Sequence, residues 1–385
     1  MSVCDLSAVR SILVVKLDEA GDFVMATPFL RALRAAAPQA RILLAVREAV
    51  ADLALTCRWV DGVVAPLPKE GGGIDFRGIT PGGLKLFAEC YRAGFDLALV
   101  PRYDFDRHGA TTLAANSRAK LVAGFSERVT PWKADGNQGF DRAYGLALAP
   151  PPGRHEVEQN AVLLEALGAE ADPGPLELAL TAEDRAEARR LLEAGDGAGD
   201  GLGDGRPLIA VAPGAASPRR AYPADRLAAV VSAVAGALGA RVAVLGTAAE
   251  RPAAAVLAAA LPGRTIDLTG ATPLRVAAAV MAEAALAITM DSAPAHLAAA
   301  AGVPVAVFSC HPIGGDPNHY HAPERFRPWT GGREERALVL RPEAAVPPCS
   351  SSCLAAEAHC IAAIDPADAA RRILALAAAT IGERG

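Results

Sequence analysis

Runs of basic residues are missing from this 385-residue chain, whose 38 lysines and arginines are scattered among 43 acidic residues for a net charge of −5. No segment can track a nucleic-acid backbone by charge, which excludes that partner. Also missing is any stretch of about 20 wholly apolar residues, the length a membrane-spanning helix needs. The opening MSVCDLSAVRSILVVKL has only a short apolar run, broken by Lys16, and reads as leading into a buried strand rather than as a secretion signal. Cysteine is sparse and odd in number, seven in all. A disulfide framework is therefore not expected, and a reducing cytoplasm is the expected compartment. Finally, the chain has neither GxGxxG nor GxxxxGK[ST], so nicotinamide and P-loop chemistry lack their fingerprints.

What the chain does have is core. A hydrophobic content of 52% over 385 residues predicts a globular α/β protein of two domains. SILVVKL (Ser11 to Leu17), RILLAV (Arg41 to Val46) and FDLALV (Phe95 to Val100) read as buried strands, with helical stretches between them. The first strand runs into the loop Asp18-Glu19-Ala20-Gly21-Asp22, and FDLALV runs into PRYDFDRHG. In open α/β sheets such strand-end loops carry the sites. The proline-rich ADPGPLEL marks the approach to a boundary, giving domains of 1–175 and 176–364. Thr181 and Asp184 form a capping box that opens the second domain. The alternation then repeats through LIAVAPG, RVAVLG, TIDLTG and LAIT, and a last helix, 365–385, is capped by Asp365-Pro366 and expected to pack back on the first domain. Gly195 to Gly205 carries aspartates every four residues, but calcium-binding spacing is absent and a solvated loop is the reading.

LAIT ends in Asp291-Ser292-Ala293-Pro294, with His296 just beyond. Ser292 reads as a helix N-cap and Pro294 as a first-turn residue, so a helix starts where a strand stops. The N–H groups and positive dipole end of such a helix make a seat for a diphosphate, flanked by Asp291 and His296. An ordinary, well-capped βα turn is the alternative.

Five segments in order resemble glycosyltransferase family 9, the lipopolysaccharide heptosyltransferase family with the GT-B fold. They are ILVVKLDEAGDFVMATPFLRAL, HEVEQNAVLLEALG, VAPGAASPRRAYPADRLAAV, LTGATPLRVAAAVMAEAALAITMDSAPAHLAAAAGVPVAVF and HAPERFRPW. The resemblance implies two Rossmann-like domains facing across a cleft, with an N-terminal acceptor domain and a C-terminal nucleotide-sugar domain. It implies an inverting, metal-independent transferase, most simply one moving a heptose from ADP-heptose to a bacterial surface glycan. It also implies that no cofactor is required. By position, Asp22 matches the family's proposed catalytic base. Arg220 falls where a basic residue meets the donor diphosphate, Glu250 where an acid binds the ribose, and Thr272 in the segment lining the base. Asp291, Ser292, Ala293 and His296 match the phosphate and donor-sugar turn.

On the acceptor side, Asp18, Arg102, Arg107, His108 and Lys120 are the candidates, and their cations suit an anionic glycolipid or glycan that could bring the protein to the inner membrane face. Asp104-Phe105-Asp106 is a DxD, a metal-binding signature in another glycosyltransferase class, but here it reads as acceptor-side loop. Asp22 could also be only a helix cap, Arg219 and Arg220 surface charges, and Glu250 a helix-start carboxylate. Cys349, Cys353, His359 and Cys360 form C-x3-C-x5-H-C. That spacing could supply a closed zinc site but fits no standard finger, and buried or free thiols are the other reading. Two further functions remain open: a sugar-nucleotide-binding homologue without turnover, and a two-domain nucleotide-sugar epimerase.

Overall fold

The computed structural model describes residues 4–69, 73–194 and 205–381. Residues 195–204, and with them the calcium alternative, lie outside the described residues. The chain divides into two compact units, Met1–Ala179 and Leu180–Gly385.

In the first unit the strands are β1 (Ser11–Lys16), β2 (Arg41–Val46), β3 (Gly62–Pro68), β4 (Ile74–Gly78), β5 (Leu97–Val100), β6 (Leu121–Phe125) and β7 (Leu146–Leu148). They form one sheet in the order β4-β3-β2-β1-β5-β6-β7. All neighbours pair in parallel except β3 and β4. Every residue of β1 is buried, Lys16 included, as expected of a strand covered on both faces. Chain order reverses between β1 and β5, and the crevice at their carboxyl ends is where an open α/β sheet binds its ligand. Leu13, Val15, Leu43, Phe87 and Phe95 belong to the core behind it.

The second unit has β8 (Leu208–Ala212), β9 (Arg241–Val244), β10 (Thr265–Asp267), β11 (Leu286–Met290), β12 (Val305–Phe308) and β13 (Ala337–Leu340). Its sheet is wholly parallel in the order β10-β9-β8-β11-β12-β13, and its reversal lies between β8 and β11. The helix Ala293–Ala300 closes on a glycine. Gly302 takes φ +71°, and Gly302 N and Val303 N donate to Ala299 O and Ala298 O, closing the helix end in a Schellman turn.

Two expectations are corrected. Asp22 does not lie on an open loop, because the helix Ala20–Met25 begins earlier than the sequence suggests and Asp22 sits in its first turn. The C-terminal helix Pro366–Thr380 packs on the helix Ala224–Leu238 and belongs to the second unit, not the first. Its apolar stripe, Ala369, Ala370, Ile373 and Leu376, closes the same core as Leu227, Val231 and Val234. Burying a side chain such as Ile373 completely is worth about 1.5–3 kcal/mol, so the stripe settles on the nearest apolar face. Among the described residues, no helix is long and apolar enough to cross a membrane.

Candidate active site

The first unit collects an unusual set of charges at the β1/β5 reversal. Lys16, 1% exposed, donates to Pro101 O (2.8 Å) and pairs with Asp18 at 2.9 Å. Arg102, just past the end of β5, reaches Asp18 Oδ1 with Nε (3.2 Å) and Asp22 Oδ1 with Nη1 (3.4 Å). Burial alone would raise the pKa of Asp18, but Arg102 and Lys16 outweigh it and hold the carboxyl below its ordinary value. Burial likewise opposes the charge of Arg102. The carboxylates of Asp18, Asp22, Asp104 and Glu156 win, and its proton is held more tightly than an ordinary arginine's.

Beneath this cluster Lys133, also 1% exposed, donates to Arg102 O, Tyr103 O and Phe125 O at 3.0–3.2 Å. Burial and the neighbouring Arg102 lower it to about 8. It thereby fixes the carbonyls at the ends of β5 and β6. Lys16, Lys133 and Glu156 are residues that sequence reasoning missed. Lys16 had left a signal, a charge inside the apolar run SILVVKL; the other two sit in polar segments and had left none.

Of the acceptor-side candidates, Asp18 and Arg102 join Asp22 directly. His108 lies nearby, 3.5 Å from Glu19 Oε1 and 3.3 Å from Arg47 Nη1, and Arg47 pairs with Glu19. Arg47, placed by the end of β2, is a further cation that sequence reasoning overlooked. Arg107 is exposed. Lys120 does not join this group. It precedes β6, at the amino end of the strands rather than the carboxyl end, and pairs with Asp96 at 2.6 Å. The DxD carboxylates are engaged within the protein. Trp132 Nε1 donates to Asp104, and Asp106 caps the helix Ala110–Ala115, accepting from His108 N, Ala110 N and Thr111 N.

In the second unit the β8/β11 reversal places Arg220 beside Asp291. Arg220 Nη2 donates to Asp291 O and lies 3.1 Å from Asp291 Oδ2. Ser292 stands at the N-cap position of Ala293–Ala300, yet its hydroxyl donates to Gly214 O (3.1 Å) and caps nothing. The N-terminus of this helix therefore has no side-chain cap. The Nε atoms of Arg219 and Arg220 are buried without a hydrogen-bond partner. Unpaired cationic donors beside an uncapped helix N-terminus make a seat with spare capacity for anionic oxygens.

Glu250 serves two ends. One carboxylate oxygen closes a capping box with Thr247 N and Thr247 Oγ1 (both 2.7 Å), and the side chain lies so close to Gly214 and Gly246 that a Cβ at either would come within 3.0 Å of it. Glycine at both places lets the β8 and β9 loops close around this carboxylate. Thr272 is partly exposed in the loop after β10, whose Gly270 N donates to Gly246 O (2.8 Å). His296 is buried in the helix, at 5% exposure. Cys310, after β12, is buried, and burial and Asp291 push its thiol up to about 12. Cys349, Cys353 and Cys360 come together with His359 beyond β13.

Residues 120–329, just over half the chain, match the family model described as glycosyltransferase family 9 (heptosyltransferase). No curated protein matches the chain. Among solved structures, the chain is similar to a glycosyl transferase family 9 protein from Veillonella parvula, with 21% identity over 97% of this chain and 99% of that one and a TM-score of 0.71. It is similar to the Escherichia coli ADP-heptose lps heptosyltransferase II at 18% identity, covering 96% and 99% of the two chains, TM-score 0.68. It is also similar to the E. coli heptosyltransferase WaaC, solved with ADP, at 15% identity, 95% and 99% coverage and TM-score 0.62. At these identities the likeness shows the fold, which is GT-B.

Proposed function

The chain belongs to glycosyltransferase family 9, the heptosyltransferase family, and on that premise we propose that it is an inverting, metal-independent transferase moving heptose from ADP-heptose onto an anionic lipopolysaccharide or other surface-glycan acceptor. The observation that carries this reading is the second unit's seat, where an uncapped helix N-terminus stands beside two arginines with unpaired donors. The solved relatives supply the nucleotide: one is an ADP-heptose enzyme and another was solved with ADP.

The proposed chemistry is a single displacement. An acceptor hydroxyl attacks the anomeric carbon, the carbon–diphosphate bond breaks, and the hydroxyl proton passes to the Asp22 carboxylate. The bonding pair leaves with ADP, whose growing charge meets the N–H groups at Ser292 and Ala293 and the Arg220 guanidinium. These fixed donors supply the positive field that a divalent cation supplies elsewhere. Asp291 orients Arg220, Glu250 is the ribose partner, and Thr272 and His296 line the base and the sugar. In the first unit Arg102, Arg107 and His108, with Arg47 beside them, suit a phosphorylated or acidic acceptor, which would draw the protein to the inner membrane face from the cytoplasmic side.

The test is calorimetric. Arg220→Ala should weaken ADP binding by about 1–3 kcal/mol, the worth of a charge-assisted contact to phosphate, while circular dichroism remains that of the parent. Unchanged affinity for ADP, and for every other nucleotide the parent binds, would remove Arg220 from the donor site.

A further inference from the structure

Between β13 and the C-terminal helix the only regular element among the described residues is the single turn Ile361–Ala363. Little backbone pairing holds this segment, yet it carries three buried cysteines in the unit's main core. One ligand atom from each of Cys349, Cys353, His359 and Cys360 lies within 4.8 Å of every other. His359 Nδ1 is 3.7 Å from Cys349 Sγ and 3.5 Å from Cys360 Sγ. Around a tetrahedral ion with bonds of about 2.3 Å to sulfur and about 2.1 Å to nitrogen, sulfur and nitrogen stand about 3.6 Å apart. The two recorded edges already have that spacing. Leu354 N donates to Cys349 Sγ at 3.4 Å, the kind of backbone support that offsets charge on a metal-bound thiolate.

We propose that Cys349, Cys353, His359 and Cys360 hold one thiophilic divalent cation in a closed tetrahedral site, and that this knot braces the diphosphate seat. Three thiolates and one imidazole select zinc among the common divalent ions, with iron the other metal that sulfur-rich sites accept. The brace runs through two short paths. Ile364, four residues after Cys360, accepts from Tyr222 Oη (2.7 Å) and Arg226 Nη2 (3.1 Å), and Tyr222 follows Arg220 by two residues. Ser351, between the first two ligands, accepts from Asp316 N (3.0 Å) in the loop after β12. Tyr222 itself stacks on Phe308 at 4.4 Å and donates its N–H to Met290 Sδ at the end of β11. A fixed tail therefore fixes the segment that carries Arg220.

The site stands independently of the transferase reading, whereas its effect on nucleotide binding rests on it. Metal analysis of the full chain, purified under reducing conditions without chelator, should find about one zinc or iron per chain, released as a mercurial titrates the thiols. The cobalt(II)-exchanged parent should show thiolate-to-metal charge transfer and intense tetrahedral bands, a reading that needs no variant to fold. Cys353→Ser should lower metal content at least about tenfold, as loss of a ligand or its support does, and Cys57→Ser should leave it unchanged. ADP affinity in Cys353→Ser should fall about tenfold with Arg220 still in place, as loss of support for a positioned charge would require. A parent that takes up no zinc, iron or cobalt after reduction overturns the site, as does a Cys353→Ser variant that keeps its metal. Metal loss with unchanged ADP affinity overturns the brace. Failure of ADP to bind even the parent counts against the transferase reading, and metal content then decides the site alone.

Discussion

Asp22→Asn is expected to lower kcat by about 10² to 10⁴, the usual worth of a general base, with ADP affinity and melting temperature close to the parent's. An acceptor hydroxyl is too weak an acid to attack an anomeric carbon unaided, and a carboxylate must take its proton as the new bond forms. Asp18 is the rival, and the geometry separates the two. Asp18 is clamped between Lys16 at 2.9 Å and Arg102 at 3.2 Å, and those cations hold its carboxyl below the ordinary range against the pull of burial. A carboxylate so committed is a weak base. Among the described residues Asp22 has a single, longer ion contact, Arg102 Nη1 at 3.4 Å, which an asparagine oxygen can keep. Steady-state kinetics with single-turnover controls decide the matter. Near-parental kcat in Asp22→Asn together with a collapse in Asp18→Asn would move the base to Asp18; normal turnover in both would end this mechanism.

Arg102→Met should cost about 3–5 kcal/mol of unfolding free energy at pH 7, because it removes one of the two cations that hold the buried Asp18 charge, leaving Lys16 alone, and takes the ion contact from Asp22 as well. Methionine keeps much of the volume, so the loss is one of charge and of the bond from Arg102 Nε to Phe105 O. The pH dependence identifies the cause. A carboxyl whose folded pKa is depressed contributes stability that is present above its unfolded value, 3.8, and lost as pH falls through the folded one. Without Arg102, chiefly Lys16 is left to oppose burial and the Asp18 pKa rises, so the variant protonates Asp18 earlier on acidification. The gap between parent and variant should therefore narrow as pH is lowered toward 4. Urea unfolding of both proteins at pH 7 and pH 4 measures it, and an equal gap at the two pH values would show that packing, not charge, accounts for the loss.

Sequence reading reached the strands because a parallel strand buried on both faces is a plain apolar run, as in SILVVKL and LAIT. It reached the β11 turn because Ser292 and Pro294 are local signals. It misjudged what depends on neighbours. Ser292 looks like a cap by type, but Gly214 O lies within its reach and takes the hydroxyl instead. Lys120 looked like one more cation beside Arg102, but it stands before β6 whereas Arg102 stands after β5, so the two lie at opposite ends of neighbouring parallel strands. Nothing local distinguishes Lys133 from a solvated lysine. Its burial follows from three carbonyls, two in the loop after β5 and one at the end of β6. The C-terminal helix was legible as a helix, yet its apolar stripe carries no address, and packing against Ala224–Leu238 supplied one.

The hydrogen bond from Tyr222 to Ile364 joins residues 142 positions apart, and it orders events during synthesis. Domains generally fold as units, amino end first, while the ribosome is still at work. The first sheet is complete once β7 has emerged, so the Asp22 cluster can form before the second unit is made. The proposed nucleotide seat cannot. A nascent chain halted at Ala345 contains Arg220, Glu250, Asp291 and Ser292 but lacks the carbonyl that anchors Tyr222 and the helix that closes the core. Ribosome-tethered chains of that length should not retain ADP, and retention equal to that of the released protein would disprove the dependence. Translation thus acts as a clock for this enzyme, with the Asp22 cluster folded early and the proposed donor seat withheld until the segment carrying Ile364 has emerged.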